Sequence, residues 1–449
     1  MVKRWVQKNR TDLRLINSLV IPMLFTQILQ LFFQLGDQAI VGRLGVKEFA
    51  AVGIASSFIF LITGTIGILS TAFNIIGGRY FGQNDIIKFG KAFNTSMTFS
   101  IVIGLICEVL ILVFGRWILK YIYNFELSML SPASHYLYIS GLGIGMNMVL
   151  FNFSAYFKNI KKAKILLISF TSASIVNIIL DYILVFGKFG FPKLGMSGAA
   201  LGSITGFAVS IWISMLFFRK GKIFSFSFRI DKPIAHQLIK LYFPLALQDL
   251  IEYTLFAMGL MVIISRMSVQ LIAAYTVLTT LIEIIMIPIY GFSGSCMTLT
   301  AQAYGKKQQG YVKYSYLSFL LLMVITIPLT LLIIFFSFPL TRLITDKDSI
   351  ITVVQQVLPW ALAFNLINGL QMIMKSALQA IDLEKWVLIY SGFIYFVSLV
   401  IIYLLVTKFE LIGVYSGFGL CYLSLSLGYI LKLKSNNSSR INLNHKQIM

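Results

Sequence analysis

The chain has 449 residues, of which 58% are hydrophobic and 12% charged, and its formal net charge is +21. A soluble protein carries about 25% charged residues, so this composition excludes a soluble globular domain and indicates a polytopic helical membrane protein. A transmembrane barrel is excluded because its strands would alternate apolar and polar residues. The apolar segments here are continuous over the ~20 residues that a spanning helix needs.

We predict an all-α polytopic membrane protein with twelve transmembrane helices. Most of the 37 Lys and Arg residues flank these spans on the side that holds both termini. This bias predicts cytoplasmic termini in a multi-pass protein of the cell membrane. The basic excess is therefore a topology signal, and no nucleic-acid partner is expected. The predicted spans are 14–41, 48–76, 92–115, 134–156, 163–186, 195–218, 238–264, 271–301, 313–340, 354–377, 386–407 and 411–431.

The two halves of the chain resemble each other. Four landmarks recur at nearly one offset, and internal repeats are typical of transporters. Six spans is an even number, so both copies enter the membrane from the same side as parallel repeats. We expect two six-helix lobes around a central cleft: an N-lobe (1–218), a cytoplasmic linker (219–237), a C-lobe (238–432) and a polar cytoplasmic tail (433–449). The landmarks are Pro22 with Pro244, Arg43 with Arg266, Ala50-Ala51 with Ala273-Ala274, and Gly82 with Gly305.

Span 1 carries a polar stripe. Gln27, Gln30, Gln34 and Asp37 follow each other at spacings that place them on one helical face. An aspartate inside an apolar span costs about 2.5–3.5 kcal/mol on insertion scales and usually faces a bundle interior or a watery cavity. Glutamines alone could serve simply as interhelical hydrogen-bonding groups.

Spans 5 and 6 extend this polar region. Asn177 and Asp181 are one turn apart in span 5, so both side chains can reach one point. Ser203 of span 6 lies beside a glycine face that permits close helix packing. If spans 1, 5 and 6 meet, the oxygens of Asp37, Asn177, Asp181 and Ser203 would suit a hard cation. Alternatively, the two carboxylates would share a proton. The glycines are Gly198, Gly202 and Gly206.

The second half carries other deep polar groups. Glu252 in span 7 and Glu283 in span 8 are candidates for substrate binding or coupling. Lys375 of span 10 is expected to snorkel to the inner surface. Asp249 is expected to be a solvated charge at a helix end, and Glu108 lies alone in span 3. Other candidates to line the cleft are Gln34, Gln248 and Asn368.

Signatures of enzymes and cofactor sites are missing from the sequence. The cysteines, Cys107, Cys296 and Cys421, lie in three different spans, so no disulfide framework is predicted. There is no zinc-ligand spacing, P-loop or dinucleotide fingerprint. We therefore expect no catalytic residues and no cofactor beyond a coupling ion.

Several sequence segments, in order, resemble the multidrug and toxic compound extrusion (MATE) family of secondary transporters. The resemblance covers nearly the whole chain. It implies a twelve-helix, two-lobed antiporter that exports small organic cations in exchange for Na⁺ or H⁺. The segments are PMLFTQILQLFFQLGDQAIVGRLG with FAAVG, GGRYFGQND, NIILDYILVFG with GMSGAALGS, FPLALQDLIEYTLFAMGLMVIISR with AAY, IPIYGFSG and AQAYGKK.

The resemblance also assigns roles to individual residues. Asp37, Asn177 and Asp181 match family residues of an N-lobe cation site, and Ser203 stands where many members have threonine. With Na⁺ as coupling ion, Asp37, Asn177 and Asp181 would be its ligands. Na⁺ is favoured over H⁺ because Asn177 and Ser203 add neutral oxygens. Glu252 matches a glutamate implicated in coupling or substrate binding in some branches, although Asn368 replaces the aspartate that accompanies it there.

Two other functions are weighed against this one. A lipid-linked oligosaccharide or polysaccharide flippase on a related scaffold would line its cleft with Arg and Lys for pyrophosphate, whereas the deep residues here are mainly acids. A membrane-embedded lipid-phosphate transferase would need a catalytic acid near the interface and a large outside loop. The outside loops here are short.

Overall fold

The computed structural model describes residues 2–307 and 310–448, and it places the side chains of residues 7–307 and 310–436. Within these ranges every regular element is a helix, which confirms the all-α prediction. Side chains of the predicted polar tail beyond Asn436, including His445, lie outside the described residues. The helices are α1 (Val2–Gly42), α2 (Val46–Gly82), α3 (Ile86–Trp117), α4 (Leu127–Asn159), α5 (Lys164–Phe186), α6 (Met196–Gly221), α7 (Lys232–Asp249), α8 (Phe256–Ile264), α9 (Val269–Gly305), α10 (Lys313–Phe335), α11 (Ser337–Ile344), α12 (Asp348–Gln379) and α13 (Glu384–Ile448).

Eleven helices in the described part of the chain are long and apolar enough to cross a membrane. The last of them, α13, accommodates both predicted spans 11 and 12. Glu410 interrupts it with φ 49° and ψ −129°, between the two predicted spans. Predicted span 7 corresponds to most of α7, which begins six residues earlier at Lys232, a π-helical turn at Leu250–Leu255, and α8. Predicted span 9 runs through Phe336, where α10 ends before α11 begins.

The chain divides into two compact units. In the unit formed by residues 21–242, α4 packs against α2, α3 and α6, and α5 pairs with α6. In the unit formed by residues 1–20 and 243–449, α12 packs against α9, α10 and α13. Span 4 in one half and span 10 in the other thus hold the same place, as repeated lobes require. The predicted domain limits 1–218, 219–237, 238–432 and 433–449 stay a prediction.

The segment between α6 and α7 is fixed to the first unit. The Asn94 amide donates hydrogen bonds to the Ser225 carbonyl and the Ser227 hydroxyl. Lys91 forms an ion pair of 2.9 Å with Asp231. The Phe224 ring packs edge-on against several rings of the aromatic core of this unit. The linker therefore follows the first unit up to the start of α7.

Glycine lets α3 and α4 approach each other closely. A Cβ added at Gly104 would lie 2.3 Å from the Cα of Gly145, so the backbones themselves are in contact. We expect Gly104→Ala to push the helices apart and lower the free energy of unfolding by about 1–3 kcal/mol. Gly53→Ala, where a Cβ meets no atom within 4 Å, is the control. Thermal unfolding of both variants in detergent tests this, and equal midpoints would contradict it.

Candidate functional site

The connection from α5 to α6 positions the predicted cation site. Helix α5 ends at Phe186 and is capped by Gly187, whose left-handed φ of 66° costs glycine little. The chain then turns and enters α6 after Gly195, which also has positive φ. The two helices therefore run antiparallel and in close contact, and Asn177 and Asp181 of α5 face the glycines of α6.

The glycine face of α6 lies directly against α5. A Cβ at Gly198 would lie 2.7 Å from the Leu184 backbone, and one at Gly206 would lie 3.1 Å from the Ala173 carbonyl oxygen. At Gly202, the added Cβ would lie only 1.9 Å from Oδ1 of Asp181. The predicted small-residue face is therefore confirmed. One of its members leaves the space that the Asp181 carboxylate occupies.

Helix α1 brings the second carboxylate. It packs on α5 through Phe33, whose ring centroid lies 6.0 Å from that of Phe170. Its opposite face carries exposed apolar side chains, as expected toward lipid. Asp37 is part-buried, and its carboxyl group lies within hydrogen-bonding reach of that of Asp181. The acids of spans 1 and 5 thus converge within one unit.

One oxygen of each of the two carboxyl groups lacks a donor. Asp181 is 1% exposed, and Oδ1 of Asp181 and Oδ1 of Asp37 are both buried without a hydrogen-bond partner. Burying carboxylates without compensation is expensive. Two adjacent negative charges add repulsion, which a proton or a metal cation between them would remove.

Two neutral groups complete the cluster. The Asn177 amide donates to Oδ2 of Asp181 at 3.1 Å and lies 3.5 Å from the Ser203 hydroxyl oxygen. All four residues predicted for the cation site therefore lie together, while their role as ligands stays a prediction. Gln34, also predicted to line the cleft, is exposed.

Tyr136 of α4 is a neighbour that the sequence did not indicate. Its hydroxyl is 2.9 Å from the Ser56 hydroxyl, and its ring lies within electrostatic reach of Asp37 and Asp181. No spacing rule connects a tyrosine in span 4 to acids in spans 1 and 5. Only the packing of α4 in the unit reveals it.

The close contact at Gly202 yields a test that leaves both carboxylates in place. We expect Gly202→Ala to displace the Asp181 carboxylate and to lower transport about tenfold, because a misplaced group loses its geometry with Asp37. Gly64→Ala, which adds a methyl group in open space, is the matched control. Efflux from vesicles measures both variants. Unchanged efflux by Gly202→Ala would show that Asp181 has no fixed role there.

The second unit contains a buried ion pair. Lys375 of α12 donates hydrogen bonds to both carboxylate oxygens of Glu252, at 2.9 and 2.7 Å. The two side chains are only 9% and 10% exposed. The prediction that Lys375 snorkels to the surface is therefore wrong, because a buried carboxylate lies within its reach. Glu252 has an internal counter-ion that the sequence interpretation did not include.

Side-chain amides of this unit are hydrogen-bonded to each other, both between helices and along α12. Gln379 donates to Gln248 at 2.8 Å, joining α12 to α7. Along α12, Gln371 donates to Asn368, and Asn368 donates to Asn365. Asn368 and Gln248 are thus held by other amides, as expected of polar groups that join helices.

The remaining acids differ in exposure. Glu283 is exposed, and Asp249 is part-buried, within electrostatic reach of Glu252 and Lys375. Asp249 is therefore not the freely solvated charge that we predicted. Glu108 is buried against Gly141, and its Oε2 has no hydrogen-bond partner.

A cavity of about 420 Å³ opens among α3, α4 and α6. Its wall is apolar apart from Glu108, and Asp37 and Asp181 are not among its lining residues. The predicted cation site is therefore a contact between carboxylates rather than part of this cavity. Its lining includes Met97, Leu105, Val149, Ile211 and Met215.

The chain is similar in sequence to known proteins over most of its length. The probable multidrug resistance protein YoeA of Bacillus subtilis is 24% identical over 418 residues, covering 90% of each chain. The probable multidrug resistance protein NorM of Neisseria meningitidis serogroup A is 25% identical over 439 residues, covering 93% of this chain and 92% of the relative.

Solved structures share the fold. The Vibrio cholerae MATE transporter VcmN in its bent form superposes with a TM-score of 0.88 at 18% identity, covering 97% of this chain and 99% of that one. An outward-facing multidrug resistance MATE transporter of the MOP superfamily gives 0.83 at 18% identity, covering 96% and 97%. At these identities the likeness concerns the fold alone.

The family model MatE matches residues 22–183 and again residues 244–404. The two matched segments begin at Pro22 and Pro244, which are the first landmarks of the predicted repeat. Because these matches cover most of the chain, in both of its halves, the protein belongs to the MatE family of multidrug efflux transporters.

Proposed function

We propose that this protein is a cation-coupled antiporter, not an enzyme, that exports small organic cations across the cytoplasmic membrane, with both termini in the cytoplasm. The observation that carries the proposal is the contact between Asp37 and Asp181, each with one buried carboxylate oxygen that lacks a donor. Such a pair is stable only when something positive lies between its members. A coupling ion would compensate this charge when it binds, and its dissociation would change the net charge of the site.

The coupling ion that we favour is Na⁺. Hard cations bind oxygen ligands, and the Ser203 hydroxyl and the Asn177 amide lie beside the two carboxylates. The Asn177 nitrogen faces Asp181 in this structure, so the amide would turn to offer its oxygen to a bound ion. A proton shared by the acids would not need the neutral groups. Asp37, Asn177 and Asp181 would be the Na⁺ ligands, and Ser203 would lie at the edge of the site.

Exchange requires that the ion and the substrate favour opposite states of the transporter. A ligand shifts a conformational equilibrium only by its difference in affinity for the two states. Binding of the ion offsets one of the two negative charges that the acids of α1 and α5 can carry, and the reduced repulsion lets these helices repack. The lobes would then expose their sites to the opposite side of the membrane, where the ion leaves and an organic cation binds.

The flippase alternative would use deep basic side chains to hold a pyrophosphate group. Lys375 is the deep base that the sequence singles out, and Glu252 already neutralises it. A lipid-phosphate transferase finds no support among the relatives, whose names describe multidrug resistance. Both alternatives are therefore less consistent with the structure than the antiporter.

Reconstituted vesicles test the proposal. Efflux of a fluorescent organic cation is measured under an inward Na⁺ gradient and, separately, under a pH gradient. We expect the Na⁺ gradient to accelerate efflux and the pH gradient alone to leave it unchanged. Acceleration by the pH gradient alone would overturn the choice of Na⁺. Efflux that responds to neither gradient would overturn cation coupling.

A further inference from the structure

The ammonium group of Lys375 is bound by Glu252 in the way that a carboxylate binds an ammonium ligand. Both Glu252 oxygens accept a hydrogen bond from it, and the pair is nearly excluded from solvent. Charge-assisted hydrogen bonds of this kind are about twice as strong as neutral ones. The Glu252 carboxylate belongs to the π-helical turn Leu250–Leu255, whereas Lys375 reaches it from α12.

Tyrosine side chains lie near this contact. The Lys375 nitrogen lies 6.0 Å from the centroid of the Tyr253 ring. The hydroxyl groups of Tyr253 and Tyr290 lie close together, and Tyr395 and Tyr422 lie within electrostatic reach of Glu252. A carboxylate combined with aromatic faces is the chemistry by which proteins recognise ammonium ligands.

The charge balance also favours a cation. Asp249, one turn before Glu252, lies within electrostatic reach of both Glu252 and Lys375. The surroundings of Lys375 therefore hold two carboxylates for one ammonium group. Tyr253 is 48% exposed and Tyr290 is 40% exposed, so one side of the tyrosine cluster lies at the surface of this unit while Tyr395 is buried.

From these contacts we infer that Glu252 and its tyrosines form an ammonium-binding site whose occupant is the side chain of Lys375. The lysine is a tethered ligand. It prevents a free ammonium compound from binding until its side chain is displaced or removed. The site would accept a primary alkylammonium ion, the chemical group that Lys375 itself supplies. This inference does not depend on the coupling ion, since it concerns binding within the second unit.

Chemical rescue tests whether Lys375 occupies an ammonium-binding site. Lys375→Ala removes the equivalent of n-propylammonium, so this ion should bind the vacated site. We expect n-propylammonium chloride to raise the unfolding temperature of purified Lys375→Ala saturably, by about 2 °C or more, with no such rise in the wild type. The neutral isostere propan-1-ol should have no effect. Sodium chloride at equal concentration controls for ionic strength.

A double variant identifies the carboxylate. In Lys375→Ala/Glu252→Gln the stabilisation by n-propylammonium should disappear. The inference is overturned if n-propylammonium stabilises the single and double variants equally, or stabilises neither.

If Lys375→Ala does not fold alone, its recovery in buffers with n-propylammonium but not with propan-1-ol supports the site, and failure with both overturns it. Lys375→Gln, which keeps a donor for Glu252, should fold and respond weakly, and a response equal to that of Lys375→Ala would count against the tethered-ligand model.

Discussion

Asp37→Asn is expected to lower ion-driven efflux at least ~tenfold, about 1.4 kcal/mol in the free energy of the driven step. Asparagine keeps the shape of the side chain but removes the charge that the ion must neutralise. The site formed with Asp181 would then bind the coupling ion more weakly in every state of the transport cycle. Efflux from vesicles under an imposed ion gradient measures this effect.

Asp181→Asn should act in the same way, because both acids belong to one cation site. The double variant should transport about as poorly as either single variant, since residues that act as a unit are not additive. Glu126→Gln is the control, because it changes a carboxylate of the same unit that is exposed and paired with Lys47. Wild-type efflux by Asp37→Asn would remove this residue from the mechanism. Losses that multiply in the double variant would show two independent sites.

Breaking the ion pair of the second unit should have the largest effect on stability. Lys375→Met leaves the Glu252 carboxylate buried without its counter-ion, and such changes cost about 3–5 kcal/mol. Glu252→Gln leaves Lys375 unpaired and should cost a similar amount. The double variant Glu252→Gln/Lys375→Met buries no unpaired charge, so it should recover most of the loss. Thermal and denaturant unfolding of the wild type, the two single variants and the double variant measures the coupling energy of the pair as a double-mutant cycle.

Met286→Leu, next to Asn368 of the same unit, is a control for an uncharged change nearby. It should have little effect, because a volume-conserving apolar exchange usually costs less than ~1.5 kcal/mol. If the losses of the two charge variants simply add in the double variant, the ion pair contributes no coupling energy and our description of the pair is wrong.

Much of the architecture could be predicted because membrane-spanning helices depend on local composition. Long apolar runs identify spans without knowledge of their partners, and Pro22 with Pro244 revealed the repeat. Asp37, Asp181 and Gly202 were also readable, because a stripe on one helix and a glycine face on another are periodic patterns. The features that could be predicted were therefore those that appear as a pattern within a single helix.

Contacts between distant segments were not readable in this way. Lys375 and Glu252 are on different helices, and no periodicity connects them, so we predicted from the sequence that the lysine snorkels to the surface. Tyr136 lies near the acids for the same non-local reason. The interruption at Glu410 and the π-helical turn around Glu252 depend on backbone geometry that composition does not encode.

Binding of radioactive sodium to the purified protein tests most directly whether Asp37 and Asp181 hold the coupling ion. We expect saturable binding by the wild type, its loss in Asp37→Asn/Asp181→Asn, and its retention in Glu126→Gln. A double variant that binds sodium as the wild type does would contradict the site, and a wild type that binds none would contradict sodium as the ion.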